Sequence, residues 1–393
     1  MQPALPYWRL SAFYFFFFAV LGVLAPYWGP YLDAQGYSAA QIGQLIAILH
    51  ATKIIAPNIW GWIADVTGKR MAIVRMGALF ALFSFTGVLL GEGFWWLALV
   101  MAAFSFFWNA ALPQFEANTM NHLGAAAPRY SRIRLWGSIG FIVTVLLFGE
   151  LIDRFGIDML PAAMLLLFAG LWVSAQIAPQ APMRVSARQT EPIVRVFFRP
   201  AVVGFFFACF LLQASHGPYF AFFSIHLAGH GYGSSAIGGL WALGVIAEIV
   251  LFFFVHRLLP AVGARVLMTV ALALSALRWV LIGALADVLP LLLFAQLLHA
   301  ASFGVYHAVG ISMVNHYFVG RNQGRGQALY SSITFGAGVA VGSLVAGLLW
   351  DEIGGAWVFH LAAVMAAFAA VTAWFSLPAD NAAGERGNNS SAS

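Results

Sequence analysis

Long apolar runs alternate with short polar or glycine-containing breaks along the whole chain. Each run covers about 20 residues or more, which is the length that an α-helix needs to cross a bilayer. The breaks carry glycine, proline or charge, as in DAQGYS, GEG, DRFG, GHGYG, ADVLP and DEIGG. This pattern predicts an all-α polytopic membrane protein.

Twelve membrane-spanning helices are predicted between these breaks. They cover residues 8–32, 39–64, 71–91, 94–121, 135–153, 158–178, 200–227, 235–256, 266–286, 289–317, 327–350 and 356–377. The polar and basic segment 179–199 predicts a cytoplasmic linker between two six-helix bundles, 1–178 and 200–379. The small polar residues of 380–393 predict a disordered tail.

The composition supports a membrane protein. The chain is 62% hydrophobic and only 8% charged, whereas a soluble domain carries about 25% charged residues. The first apolar run is followed by further spans, so no cleavable signal peptide is predicted. The single cysteine, Cys209, excludes an internal disulfide, and its apolar surroundings favour a packing role.

The distribution of lysine and arginine predicts the orientation of the chain. Of the 19 such residues, all but Lys53, Arg154 and Arg278 lie at the N-terminus, in the even-numbered loops or in the tail. Cytoplasmic loops carry an excess of Lys and Arg. Both termini are therefore predicted to be cytoplasmic, and the net charge of +5 reflects topology rather than nucleic-acid binding.

Two pairs of segments indicate that the halves arose by duplication. GYSAAQIGQL at 36–45 matches GYGSSAIGGL at 231–240, and GELIDRFG at 149–156 matches GLLWDEIG at 347–354. The first pair is predicted to open the second and eighth helices, and the second pair to close the fifth and eleventh. Parallel repeats of this kind predict a substrate site at the membrane midplane between the halves.

A Gly-x-x-x-Asp-x-x-Gly pattern recurs at three predicted helix ends, and in GWIADVTGKR two cations follow it. Glycine permits close helix approach in a membrane, and a carboxylate is stabilised at the positive N-terminus of a neighbouring helix. Asp65 is therefore predicted to latch the cytoplasmic ends of the halves together, with a simple structural turn as the alternative. The predicted gating residues are Gly61, Asp65, Gly68, Lys69, Arg70, Asp153 and Asp351.

Ionisable side chains inside the predicted spans mark candidate functional sites, because each costs about 2.5–3.5 kcal/mol at the bilayer centre. Lys53 and Glu248 differ by the offset of the first repeat, so they occupy equivalent places in the second and eighth helices. They are predicted either to pair and separate around a substrate or to form a permanent ion pair. The other ionisable residues of this kind are Glu116, Arg278, His216, His299 and His307.

One face of the predicted tenth helix carries His299, Phe303 and His307 at positions i, i+4 and i+8. Histidine titrates near neutral pH, so His299 and His307, together with Glu248, are predicted to pick up and release a proton. Hydrogen bonding between helices is the alternative role of each histidine.

Several segments resemble those of known transporters. With the twelve spans and the half repeat, GWIADVTGKR resembles the signature loop between helices two and three of the major facilitator superfamily, with Val66 in place of the usual second cation. FEANTMNHLGAAAPRYSRIRLWGSIG, SALRWVLIG and LLHAAS are similar to segments of the lactose permease family. That resemblance implies substrate contacts for Glu116 and Arg134, and it matches Arg278 and His299 to the family's helix-nine arginine and helix-ten histidine.

The chain departs from the lactose permease pattern at two acids. The family's coupling glutamate, one turn after the helix-ten histidine, is Ser302 in this chain. Its helix-eight glutamate falls near Val245, with Glu248 one turn later. The identity of the proton carrier therefore does not follow from that family.

RIRLWGSIGF, LLQASHGPYF, GYGSSAIGGLWALGVIAEIV and LLHAASFGVYH resemble segments of the bacterial 3-phenylpropionate permease group. In that group the helix-two cation, the helix-eight glutamate and both helix-ten histidines are similar. The resemblance implies proton-driven uptake of a small aromatic carboxylate across the bacterial cytoplasmic membrane, with a proton gradient as energy source and no cofactor or metal. The residues predicted to receive the carboxylate are Lys53, Arg134 and Arg278.

Three other functions are alternatives to this one. Proton symport of a polyol, saccharide or nucleoside is the first alternative, favoured by the pair of Glu116 and Arg134. Drug efflux by proton antiport is disfavoured, because GSIGFIVTVLLFGELID lacks the Gly-Pro motif that is usual in helix five of such exporters. An enzyme is disfavoured because no HExxH or nucleophile–base signature occurs. The prediction is a monomeric transporter that works by alternating access, with a small molecule, protons and lipid as partners and no nucleic acid.

Overall fold

A computed structural model describes residues 5–182, 192–320 and 322–379 of the chain. The described residues contain twelve helices that are long and apolar enough to cross a membrane, which confirms the predicted fold class. They are α1 Tyr7–Ala34, α2 Ala39–Thr67, α3 Arg70–Leu89, α4 Phe94–Leu123, α5 Tyr130–Phe155, α6 Ile157–Ile177, α7 Pro200–Gly229, α8 Ser234–Val262, α9 Ala264–Ala284, α10 Leu289–Tyr317, α11 Asn322–Ile353 and α12 Gly355–Ser376. The predicted tail and residues 183–191 of the predicted linker lie outside the described residues, and the linker also contains a short helix, Ile193–Phe197.

The helix ends follow the local chemistry of the breaks. α2 begins with a capping box, in which the Ser38 N–H donates to Gln41 Oε1 (3.0 Å) and the Gln41 N–H donates to Ser38 Oγ (3.4 Å). α2 ends at Gly68, whose φ of 69° lies in the left-handed region that glycine adopts without steric cost. Glycines in other breaks also have a positive φ, namely Gly36, Gly93, Gly156, Gly231 and Gly354.

The repeated segments occupy their predicted places. GYSAAQIGQL leads into α2 and GYGSSAIGGL into α8, while GELIDRFG ends α5 and GLLWDEIG ends α11. Equivalent glycines have nearly equal backbone angles, since φ is 80° at Gly36 and 83° at Gly231, and 81° at Gly156 and 83° at Gly354. The shared turns support the duplication inferred from the sequence.

Several helices depart from the predicted spans. α5 begins at Tyr130 and α11 at Asn322, earlier than predicted, because their polar first turns remain helical although hydropathy detects only the apolar stretch. α7 is interrupted at His216. α10 and α11 each contain a π-helical segment, Ala300–Val305 and Ser332–Gly338. Such segments often occur at functional sites.

The described chain forms two compact units, each with closely packed helices. In the first unit α1 packs along α5, and a Cβ on Gly22 would lie 2.6 Å from the Phe141 carbonyl oxygen. In the second unit α9 packs along α12, and a Cβ on Gly283 would lie 2.8 Å from the Ala356 carbonyl oxygen. For the described residues, the first unit comprises Met1–Val185, Gly217–Ala242 and Ala340–Gly354, and the second comprises Ser186–His216, Leu243–Val339 and Gly355–Ser393.

Candidate functional site

A charged pair joins α4 and α5 in the first unit. Arg134 Nε lies 3.9 Å from Glu116 Oε1, and the Tyr130 hydroxyl donates to the same oxygen at 3.1 Å. The Arg134 guanidinium carbon lies 3.7 Å from the centroid of the Phe18 ring, a cation–π contact that holds the side chain in place. Because the side chains of Arg134 and Glu116 remain 30% and 39% exposed, both can meet a substrate.

Lys53 is a second cation of the first unit, on α2. Its side chain is half-buried, and it forms no salt bridge with any described residue of that unit. The preceding residue, Thr52, belongs to a polar cluster, in which the Thr52 hydroxyl donates to Ser105 Oγ (2.9 Å) and accepts from Asn109 Nδ2 (2.9 Å). Glu248 lies in the second unit, so the pairing of Lys53 with Glu248 stays a prediction.

A carboxylate and an imidazole meet between α8 and α10 in the second unit. Glu248 Oε2 lies 3.7 Å from His299 Nε2. Two glycines allow this approach: a Cβ on Gly244 would lie 3.2 Å from His299 Cγ, and a Cβ on Gly304 would lie 3.2 Å from Glu248 Cγ. Glu248 of α8 thus contacts His299 of α10. One turn after His299, the chain has Ser302 instead of a second acid.

Arg278 lies in the buried interior of the second unit. Its side chain is fully buried, with Nη1 donating to Ser302 Oγ (3.2 Å) and Nη2 donating to Gln296 Oε1 (3.3 Å). The guanidinium also lies over the ring of Trp279, 4.6 Å from its centroid. A substrate contact of Arg278 therefore requires these buried partners to rearrange, and it stays a prediction.

The other two candidate histidines have different surroundings. His216, at the interruption of α7, is fully buried, with Nδ1 2.9 Å from the Leu212 carbonyl oxygen and its ring edge-to-face with Trp279. His307 on α10 is half-buried, and its ring stacks on Phe303 with the centroids 6.1 Å apart. These contacts favour a packing role for His216.

The loop between α2 and α3 is built around an ion pair. Arg70 Nη2 donates to Asp65 Oδ1, and Arg70 Nη1 donates to Gln114 Oε1 of α4 at 2.9 Å. Gly61 faces the same glutamine, since a Cβ there would lie 3.5 Å from Gln114 Nε2. Lys69 is exposed. This arrangement holds Asp65 at the end of α2, and its latching role stays a prediction.

The equivalent aspartate at the end of α5 lies against the first turn of α8, within the first unit. Asp153 Oδ1 accepts from the Ser234 N–H and Oδ2 accepts from the Ser235 N–H, both at 2.8 Å. The Ser235 hydroxyl donates to Glu150 Oε2 at 3.1 Å. A carboxylate at a helix N-terminus satisfies free N–H groups and opposes the positive end of the dipole. Asp351, in the third copy of the pattern, is exposed at the end of α11.

Sequence reasoning missed the partners that hold these residues. Gln114 and Gln296 are polar residues within predicted spans, and that property was the available signal. Tyr130 lies before the predicted fifth span, so no such signal pointed to it. The hydrogen-bond partners of these three residues could not be predicted, because those partners are distant in the sequence and meet only in the folded chain. No group of three or more His, Cys, Asp or Glu suited to a metal ion occurs in the part of the chain that the structure describes.

The family model of the MFS_1 like family matches residues 7–361. The chain belongs to this family of major facilitator transporters. It is 29% identical to the "probable 3-phenylpropionic acid transporter" of Escherichia coli (strain K12), over 91% of this chain and 96% of that protein. It is 27% identical to the maltose permease of Geobacillus stearothermophilus, over 88% and 89%. The crystal structure of a mutant of the nucleoside transporter NupG superimposes with a TM-score of 0.83 and 16% identity, over 95% of this chain and all of that chain.

These comparisons confirm the predicted superfamily and class of activity. The family match and the relatives identify a multi-pass membrane transporter of small molecules rather than an enzyme. The similarity to NupG, at its low identity, concerns the fold alone.

Proposed function

We propose that the protein imports small aromatic carboxylates by proton symport, through alternating access. The observation that carries this proposal is the charge of the candidate residues in the first unit. Lys53 and Arg134 bring two positive charges against the single carboxylate of Glu116, and Lys53 has no salt bridge among the described residues of that unit. An unbalanced charge within the membrane is costly, so an anionic substrate is the natural counterion.

The relatives support an aromatic acid as the anion. The Escherichia coli relative is named as a probable 3-phenylpropionic acid transporter, and it aligns over nearly all of both chains. A carboxylate binds a lysine or arginine through charge-assisted hydrogen bonds, which are the stronger kind. We assign this contact to Lys53 and Arg134.

We assign the proton to Glu248 and His299, with His307 as a further candidate. The carboxylate and imidazole of the first two lie 3.7 Å apart, close enough for one to change the charge of the other. A proton gradient would then supply the energy, without a cofactor. A single chain carries all of these residues, so a monomer suffices.

Proton symport of a saccharide is the second candidate function. The half-exposed carboxylate of Glu116, held by Tyr130 and Arg134, is suited to accept hydroxyl groups. The maltose permease among the relatives supports this alternative.

Uptake into proteoliposomes distinguishes these functions. Radiolabelled 3-phenylpropionate, maltose and uridine are supplied to vesicles with and without an inward proton gradient. We expect gradient-driven accumulation of 3-phenylpropionate alone. Accumulation of maltose or uridine, with no uptake of the aromatic acid, would overturn the substrate assignment, and equal uptake with and without the gradient would overturn proton coupling.

A further inference from the structure

Aromatic rings form an ordered ladder along α10 in the second unit. The ring centroids of His299 and Phe303 are 5.4 Å apart with 13° between their planes, and those of Phe303 and His307 are 6.1 Å apart with 10°. Phe335 of α11 lies 5.9 Å from both Phe303 and His307, inclined by 59° and 63°. We call Phe303, His307 and Phe335 the aromatic corner.

The backbone of both helices is irregular at this corner. Phe303 lies within the π-helical segment Ala300–Val305, and Phe335 lies within the π-helical segment Ser332–Gly338. A π-helical turn is rare and frequently marks a functional site. Two such turns that bring their aromatic side chains together indicate that the corner is more than ordinary packing between helices.

The corner lies on the side of α10 away from the strongly exposed apolar face. Phe294 is 46% exposed, as expected for a side chain in contact with lipid. Phe303 instead stacks on His299, whose side chain is buried. The three rings of the corner are half-buried rather than sealed in the core. They therefore remain available to a ligand that does not come from the lipid.

The corner also adjoins the proposed proton site. His299, which pairs with Glu248, is the next ring of the ladder and stacks on Phe303. A ligand at the corner would thus lie about one helical turn from the titratable pair.

We propose that the aromatic corner binds the aromatic ring of the transported substrate and is the element that selects aromatic over saturated acids. This inference rests on the proposed function. Aromatic rings prefer edge-to-face or offset contacts with centroids about 4.5–7 Å apart. A planar ring that enters the corner beside Phe303 meets two aromatic side chains at different inclinations, because the planes of Phe303 and Phe335 differ by 59°. A saturated ring of similar size buries comparable apolar area but lacks the quadrupole of an aromatic ring.

The test compares two acids that differ only in aromaticity. Binding of 3-phenylpropionate and of 3-cyclohexylpropionate is measured on the purified full chain by competition against the radiolabelled aromatic acid. For the unmodified protein we expect the aromatic acid to bind about three- to tenfold more tightly. In Phe335→Leu and in Phe303→Leu we expect this ratio to fall, and in the double variant to approach one, because the apolar contacts that then remain serve both acids equally.

Matched variants guard against a folding defect. Phe294→Leu makes the same change on the exposed face of α10 and should keep the ratio of the unmodified protein. Phe335→Tyr retains an aromatic ring, so it should also retain the preference for the aromatic acid. If Phe335→Leu fails to fold, Phe303→Leu supplies the same comparison on the other helix.

The outcomes separate the two proposals. If the unmodified protein binds neither acid, the proposed function fails, and the corner has no substrate ring to receive. If it prefers the aromatic acid but both leucine variants keep that preference, the proposed function stands and the aromatic corner is refuted.

Discussion

Side-chain charge at the residue scale gives the clearest argument about the substrate. Lys53 carries a half-buried positive charge on a membrane-spanning helix, and Arg134 adds another that Phe18 and Glu116 hold in place. In the second unit, Arg278 is fully buried and donates to Ser302 and Gln296. The half-buried Lys53 and Arg134 are therefore more accessible to a ligand than the fully buried Arg278.

Replacing Lys53 tests the anion-binding role. Lys53→Gln removes a charge-assisted contact worth about 1.5–3 kcal/mol, so we expect the KM for 3-phenylpropionate to rise about 10- to 100-fold. Lys53→Arg should retain much of the transport because it keeps the charge. Arg257→Gln, which removes an exposed cation of α8, is the control. An unchanged KM in Lys53→Gln would show that the carboxylate binds elsewhere.

Replacing Glu248 tests the proton linkage. Glu248→Gln cannot release a proton, so we expect gradient-driven accumulation to disappear while exchange of labelled for unlabelled substrate across the membrane persists. Both are measured in the same proteoliposomes, with Glu92→Gln, in an exposed loop, as the control. Accumulation at the normal level in Glu248→Gln would assign the proton to another group, with His299 the next to replace.

At the scale of helices, glycine positions and helix termini set the geometry. α1 and α5 pack so closely that a Cβ on Gly22 would collide with α5, and the Thr144 hydroxyl donates to the Ala19 carbonyl oxygen (3.1 Å) across the same contact. The first turn of α8 is capped by Asp153 from α5. Hydropathy and the repeat predicted where these helices lie, but they did not predict this cap. The Gly-x-x-x-Asp-x-x-Gly pattern identifies the aspartate but does not indicate which N–H groups it accepts from.

The close contact of α1 with α5 predicts a packing defect. Gly22→Ala places a methyl group 2.6 Å from the Phe141 carbonyl oxygen, and we expect a loss of about 1–3 kcal/mol in stability. Thermal unfolding in detergent should show a lower Tm. Gly239→Ala is the matched control, since nothing lies within 4 Å of the added Cβ. Equal Tm values for the two variants would contradict the close packing described for Gly22.

The cap on α8 predicts a local loss of protection. Asp153→Ala leaves the Ser234 and Ser235 N–H groups without their carboxylate, and we expect about 0.5–2 kcal/mol of destabilisation, concentrated in the first turn of α8. Hydrogen–deuterium exchange of the peptide that spans these serines should accelerate. Glu352→Ala removes an exposed acid at the end of α11 and should leave that peptide unchanged. Unaltered exchange in Asp153→Ala would mean that the cap contributes little in the membrane.

Across the whole molecule, the number and positions of the helices could be predicted from the sequence, whereas the irregular turns within helices could not. Twelve helices were predictable because apolar runs and glycine-containing breaks recur along the chain and in both halves. The thickness of a bilayer also fixes the length that each spanning helix must have. No recurring sequence pattern predicted the interruption of α7 at His216 or the π-helical turns at Phe303 and Phe335. Phe303 and Phe335 of the aromatic corner lie in the two π-helical segments.

Orientation in the membrane is the remaining property of the whole chain that the sequence predicts. The lysine and arginine bias predicts that both termini lie in the cytoplasm, and an even number of spans puts the two termini on the same side. Alkaline phosphatase, which is active only outside the cytoplasm, should be active when fused after Gly36, between α1 and α2, and inactive when fused after Gly68, between α2 and α3. A green fluorescent protein at the C-terminus should fluoresce, because it folds in the cytoplasm. The opposite result at all three fusion sites would mean that the chain has the inverted orientation. The α2–α3 loop with Asp65 would then lie outside the cell, and Asp153 would cap α8 on the cytoplasmic side.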